Sequence, residues 1–280
     1  MRIRSEWWLP LTLGCALLVA AGCAAGAKKP DKITSELLTE TKEVLSEKGK
    51  ALIAKGKYDD GRKYLNHVFE TYPNETVGRE ALLLVADSYL KQKGVKNYTE
   101  ARYRYRDYLN RYPGAPRRDY ARYQFALCSD NEHEKPDRDQ TATREAIEQY
   151  RTLIREFPDS GYAGAARERV RQLNDLLAEH DFSVGYFYFR KGATASALTR
   201  FTVLEQRFPD YAFRDKLYYY EGRALERLGR KDEAKRYFGK VLEEFPQGAY
   251  AKKSRSRTAE KDGGKPPAAA AVVDTKPQSQ

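Results

Sequence analysis

The sequence predicts an all-α chain, a superhelix of five helical hairpins with an elongated first helix in the fourth. Three observations carry this expectation. An aromatic–proline pair recurs at Tyr72-Pro73, Tyr112-Pro113, Phe157-Pro158, Phe208-Pro209 and Phe245-Pro246, so the prolines fall 40, 45, 51 and 37 residues apart. Periods of this size mark stacked two-helix units. Eleven residues before each aromatic stands a small residue (Gly61, Ala101, Ala146, Ala197, Ala234), and four before it an apolar or aromatic one (Val68, Tyr108, Leu153, Leu204, Val241). Between Asp159 and Lys191 no proline breaks the helical pattern.

Each aromatic–proline pair ends the second helix of a hairpin. Ala234, Tyr237, Phe238, Val241, Leu242 and Phe245 form one face at helical spacing, and proline stops the helix because it lacks an N–H and disfavours helix in the residue before it. The first helices have small positions of their own. Gly49, Gly185 and Gly222 each lie twelve residues before their counterparts Gly61, Ala197 and Ala234. Ala86 and Ala126 take this role in the second and third units, where the loops are longer. Small side chains let two helix axes approach to about 8–10 Å. Paired small residues, turn and terminal proline together resemble the tetratricopeptide repeat, so the fold expected is five tetratricopeptide-like hairpins over residues 34–250. Leu173, Leu176, Leu177 and Val184 continue one face of the fourth unit. They predict a helix of about 30 residues, roughly 45 Å long, with Asp159 or Ser160 as its cap.

The ends differ from the middle. Arg2 and Arg4 precede an apolar run from Trp7 to Ala21, too short for a membrane span of about 20 residues. The run ends in Ala20-Ala21-Gly22 before Cys23. This reads as a signal peptide over residues 1–22 and a lipobox, with Ala20 where leucine is usual. Cys23 would carry the lipid, since more than one acyl chain makes anchoring stable. Ala24 after it favours the outer membrane, by resemblance to lipoprotein sorting. Residues 23–33 read as a tether. Residues 251–280, with Lys252, Lys253, Arg255 and Arg257 before Gly263-Gly264 and Pro266-Pro267, read as a disordered basic tail.

Composition restricts the function classes. Of 280 residues, 21 are Tyr, 32% are charged, and the net charge is +11. Positive residues interleave with acids, as in Arg167-Glu168-Arg169, which describes a solvated helix surface better than a nucleic-acid stripe. Once Cys15 leaves with the signal and Cys23 is lipidated, Cys128 remains alone, in an apolar run that suggests a buried thiol. His67, His133 and His180 have no partner at metal-ligand spacing, and neither a phosphate loop nor a nucleophile elbow is present. The expectation is a protein with no catalytic site, no metal and no cofactor, in which His180 makes an inter-helix or surface hydrogen bond.

Several runs then carry a specific likeness. Asp137-Arg138-Asp139-Gln140-Thr141, Arg144-Glu145-Ala146, Phe157-Pro158-Asp159-Ser160, Leu177 to Phe182 and Phe187 to Gly192 resemble the BamD (YfiO) family of outer-membrane barrel-assembly lipoproteins. The resemblance implies a lipid-anchored scaffold at the periplasmic face of the outer membrane. It also implies two partners: the periplasmic domains of a barrel-forming subunit, and unfolded outer-membrane proteins received by the N-terminal repeats. It puts Arg200 on the family's partner-binding arginine, with Asp137, Arg138 and Asp139 as further contacts. The N-terminal half departs from the family at Asn74-Glu75-Thr76-Val77-Gly78, where members often carry another aromatic, glycine and proline. Two rival readings are a repeat lipoprotein coordinating cell-wall synthesis, division or pilus assembly, and a lipid-anchored enzyme acting on peptidoglycan.

Overall fold

The computed structural model describes residues 32–259. The signal peptide, Cys23 and nearly all of the tether lie outside these residues, as does the tail from residue 260. Twelve α-helices fill the described chain: α1 (Lys32–Thr39), α2 (Lys42–Ala54), α3 (Tyr58–Thr71), α4 (Thr76–Gln92), α5 (Val95–Arg111), α6 (Arg118–Asp130), α7 (Thr141–Glu156), α8 (Ala163–Arg190), α9 (Thr194–Arg207), α10 (Arg214–Arg227), α11 (Lys231–Glu244) and α12 (Ala251–Ala259). Each helix packs on its sequence neighbours from α2 to α12, and alternate first helices also touch, as α2 with α4, α4 with α6 and α8 with α10. This is the nearest-neighbour packing of a solenoid.

The small residues fall where helix backbones meet. A Cβ added at Gly61 would lie 2.8 Å from the Gly49 carbonyl oxygen, and one at Gly49 would lie 2.7 Å from Leu65 Cγ. Gly185 abuts the Phe201 ring and Gly222 the Phe238 ring, with a Cβ meeting ring carbons at 2.6 and 2.7 Å. Ala86, Ala101, Ala126, Ala146, Ala197 and Ala234 are all buried. At the far end of each second helix the aromatic is the C-cap. Tyr72, Tyr112, Phe157, Phe208 and Phe245 still donate their N–H to the carbonyl four residues back, on Val68, Tyr108, Leu153, Leu204 and Val241. The following proline has no N–H with which to continue.

Three hairpin turns repeat one hydrogen-bonding scheme. Lys57, Ala193 and Arg230 each donate to the carbonyl five residues back, and Gly56, Gly192 and Gly229 each to the one three back. These are Schellman closures, with the glycine in the left-handed region that they require.

Tyrosine explains much of the packing. The phenols of Tyr105 and Tyr120 both donate to Asp87 Oδ1, at 2.6 and 2.8 Å. Tyr64 donates to Glu36 at 2.6 Å, Tyr150 to Asp130 at 2.9 Å, Tyr237 to Glu205 at 3.0 Å, and Tyr211 to Glu179. A ring that is mostly inside contributes apolar area, while its hydroxyl needs a partner; a carboxylate on a neighbouring helix supplies it. Burial pushes Asp87 above its ordinary carboxylate value, against the two phenols that favour its ionised form.

Three expectations are corrected. The repeat body begins earlier than residue 34: α1 starts at Lys32, packs Ile33 and Leu37 on the first core cluster, and takes the Tyr64 hydroxyl on Glu36. The long helix starts at Ala163, three residues after Ser160, and has 28 residues. Neither Asp159 nor Ser160 caps it, because the Ser160 hydroxyl instead donates to Asp119 at 2.7 Å and accepts the Tyr162 N–H at 3.1 Å. Residues 251–259 are not a disordered tail but helix α12, which covers the end of α11 with the small buried side chains of Ala251 and Ser254. A face made of Ala and Ser has no apolar signature in the sequence.

Candidate partner-binding surfaces

The body positions two sets of exposed residues along α8. Arg200 lies on α9, three residues after Ala197 and directly before buried Phe201. A Cβ at Gly185 would sit 3.3 Å from Arg200 Cβ, so the glycine that lets α9 close on α8 also fixes where the Arg200 side chain begins. Arg200 makes no ion pair among the described residues. Exposed Val203 and Arg207 continue its face at helical spacing, and Arg207 is bound to Asp181 of α8 at 3.2 Å.

Asp137, Arg138 and Asp139 are exposed in the α6–α7 connection. Their shape is set from beneath. Buried Gln140 donates its amide to the carbonyls of Lys135 and Arg138, at 2.8 and 3.1 Å, and accepts from Thr143 at 2.8 Å. His180 of α8 meets the Pro136 carbonyl at 2.5 Å. A carbonyl only accepts, so Nδ1 carries the hydrogen. His180 therefore makes an inter-element hydrogen bond that pins this connection. It stands five residues before Gly185, about 7.5 Å along the helix axis. Helix α8 is thus the shared support of Arg200 and of the 137–139 segment.

A groove of about 700 Å³ opens between α7, the first half of α8 and the α9–α10 connection. Its floor includes Ile147, Val170 and Phe208, and its walls include Arg144, Arg151 and Arg167. Composition gave no signal for it, since its residues run from Arg144 to Tyr211 and come from separate elements.

Cys128 is a free, buried cysteine, and burial pushes its thiol up to about 12, which keeps it protonated and unreactive. Among the described residues, no group of three or more His, Cys, Asp or Glu is placed to hold a metal ion, and no helix is long and apolar enough to cross a membrane.

Residues 39–238 match the YfiO family of outer membrane lipoproteins. The chain belongs to this family. Its similar relatives include the protein named outer membrane protein assembly factor BamD in Caulobacter vibrioides, 29% identical over 240 residues, with 85% of this chain and 77% of the relative covered. The protein of the same name in Haemophilus influenzae is 26% identical, covering 71% and 76%. The one in Rickettsia prowazekii is 26% identical, covering 85% and 93%. Residues 219–278 match a tetratricopeptide-repeat family. Among solved structures, the TPR2AB domain of yeast Sti1 in its pHSP90 complex is similar with a TM-score of 0.43 and 16% identity, covering 78% of this chain and 82% of that one.

Within this YfiO-family body, one structural glycine escapes the repeat pattern. A Cβ at Gly78 would fall 1.9 Å from the Tyr72 carbonyl oxygen. The segment from Asn74 to Gly78 is thus closed by a residue that admits no side chain.

Proposed function

We propose that this chain is a lipid-anchored, non-catalytic scaffold of the outer-membrane β-barrel assembly machinery. Cys23 carries the lipid and holds the helical body at the periplasmic face of the outer membrane. The body binds the periplasmic domains of the barrel-forming subunit, and its N-terminal hairpins receive unfolded barrel proteins. Membership of the YfiO family supports this, together with the name assembly factor borne by relatives that align over most of its length.

The observation that carries the partner-binding part is the state of Arg200: exposed, without an ion pair among the described residues, and rooted where α9 closes on Gly185 of α8. A guanidinium held so can grip a carboxylate of a rigid partner with two parallel hydrogen bonds. Asp137, Arg138 and Asp139, pinned to the same helix through His180, form the second contact. The fold itself offers surfaces and leaves the chemistry to others: buried Asp130 is taken up by Tyr150 and Arg169, and half-buried Asp87 by Tyr105 and Tyr120.

The test has two parts. Depletion of the protein should lower the amount of folded barrels in the outer membrane. Arg200→Glu should weaken co-purification of the barrel-forming subunit, with an Arg200→Lys variant intermediate because the bidentate geometry is lost. Barrel levels that stay normal on depletion would sink the assembly role. Undiminished, salt-resistant recovery of the subunit with Arg200→Glu would sink the assignment of Arg200.

A further inference from the structure

We propose that the groove between α7, α8 and the α9–α10 connection binds an extended acidic peptide segment of a partner protein, with an apolar side chain on its floor. This does not rest on the assembly reading; the groove meets the face of Arg200 only at Arg207, which lines its edge. The argument begins with charge. Arg144 and Arg151 are exposed on α7 and form no ion pair among the described residues, and Arg167 on the facing helix has only a long contact of 3.4 Å to the Pro158 carbonyl. Nearby arginines behave otherwise: Arg171 is bound to Glu168 and Asp175, and Arg207 to Asp181. Glu148 stands between Arg144 and Arg151 on the same helix without closing on either. The groove therefore holds guanidinium groups that its own acids leave unpaired.

Shape supplies the rest. The floor of Ile147, Val170 and Phe208 belongs to the large core cluster of the C-terminal half or packs against it, so it is rigid and needs no rearrangement to receive a side chain. Seven residues on a helix advance about 10.5 Å, and an extended segment of the polyproline II kind, rising about 3.1 Å per residue with three residues per turn, covers nearly that distance in about three residues and returns to the same face. The recognised segment accordingly carries carboxylates three positions apart, with an aliphatic or aromatic residue between them facing the floor. Arginine suits this, since its planar fork meets a carboxylate with two donors.

The experiment is fluorescence anisotropy on the full chain. The probe is a peptide with blocked termini, two glutamates three positions apart, and a phenylalanine between them; a glutamine version serves as control. The glutamate peptide should bind and the glutamine peptide should not. The double variant Arg144→Ala, Arg151→Ala should bind it about tenfold more weakly, while Glu148→Gln should bind it more tightly. All three positions are exposed, so these variants should keep the wild-type thermal transition. Absence of binding, equal binding of the glutamine peptide, or an affinity untouched by the double variant would each overturn the proposal. So would a dependence on the two arginines that appears with phosphatidylglycerol vesicles and not with the peptide, because the groove would then serve a lipid headgroup.

Discussion

Arg169 holds Asp130 with both sides of its guanidinium fork: Nε donates to Oδ2 at 2.8 Å and Nη2 to Oδ1 at 2.6 Å. The pair ties α8 to α6 across the intervening α7, while the Tyr150 hydroxyl of α7 donates to the same Oδ2. Three helices of two successive hairpins therefore meet on one carboxylate.

That carboxylate is only 2% exposed, whereas Arg169 retains 34%. The two partners are thus unequal. Arg169→Met strands a buried charge and should cost about 3 kcal/mol. Asp130→Asn leaves Arg169 able to turn to water and should cost about 1–2 kcal/mol. Urea denaturation of the two variants checks the ordering, and equal losses would contradict it.

Glycines of the last hairpin should respond oppositely to the same substitution. Gly222→Ala forces a methyl against the Phe238 ring, within 2.7 Å of its nearest carbon, and overpacking of this kind costs about 1–3 kcal/mol. Gly239, in the middle of α11, has nothing within 4 Å of an added Cβ. Gly239→Ala should therefore stabilise by about 0.5–1 kcal/mol through helix preference alone. Thermal denaturation should move the two midpoints in opposite directions.

Glu221 gives the body a pH dependence. Its carboxyl is fully buried on α10, and neither oxygen has a well-formed hydrogen bond among the described residues, Thr202 being only a weak donor to it. Burial first, and then the charge of Glu205, push it up to about 9, against Lys240 and Thr202. The folded chain thus keeps this proton at neutral pH, whereas the unfolded chain releases it near 4.5. With the folded value above the unfolded one, the stability contribution is complete below 4.5 and is lost as pH rises toward 9. The loss is at most about 1.4 kcal/mol per pH unit. Glu221→Gln should flatten the profile of urea midpoints between pH 5 and pH 9. An unchanged slope would show that Glu221 is ionised inside the fold.

Much of this architecture was readable from residue spacing. The small residues at hairpin crossings and the aromatic–proline stops report steric demands that act within one hairpin, so they recur at a fixed distance in the sequence. Gly56, Gly192 and Gly229 carried an equally local signal, each five residues before its small partner Gly61, Ala197 or Ala234, yet the repeat pattern was drawn without them. Other features were not legible. Helices α1 and α12 hold their places by docking on α3 and α11, and their few buried side chains leave no repeating pattern. The start of α8 was displaced by a bond from Ser160 to Asp119 on another hairpin. The arginine groove depends on which guanidinium groups find partners, and that is decided by side-chain reach across three elements.

Helix α12, the last among the described residues, bears on how α11 is covered. In a solenoid every unit offers its last helix as a seat for the next one, and an unoccupied seat on α11 would accept a unit from another molecule as readily as from its own chain. Ala251 and Ser254 fill that seat from within. Outward from the same helix point Lys252, Lys253 and Arg255, all exposed, so two molecules brought tip to tip would meet with like charges. Among the described residues, α12 thus occupies from within the chain the seat that α11 would otherwise leave open, and edges it with positive charge.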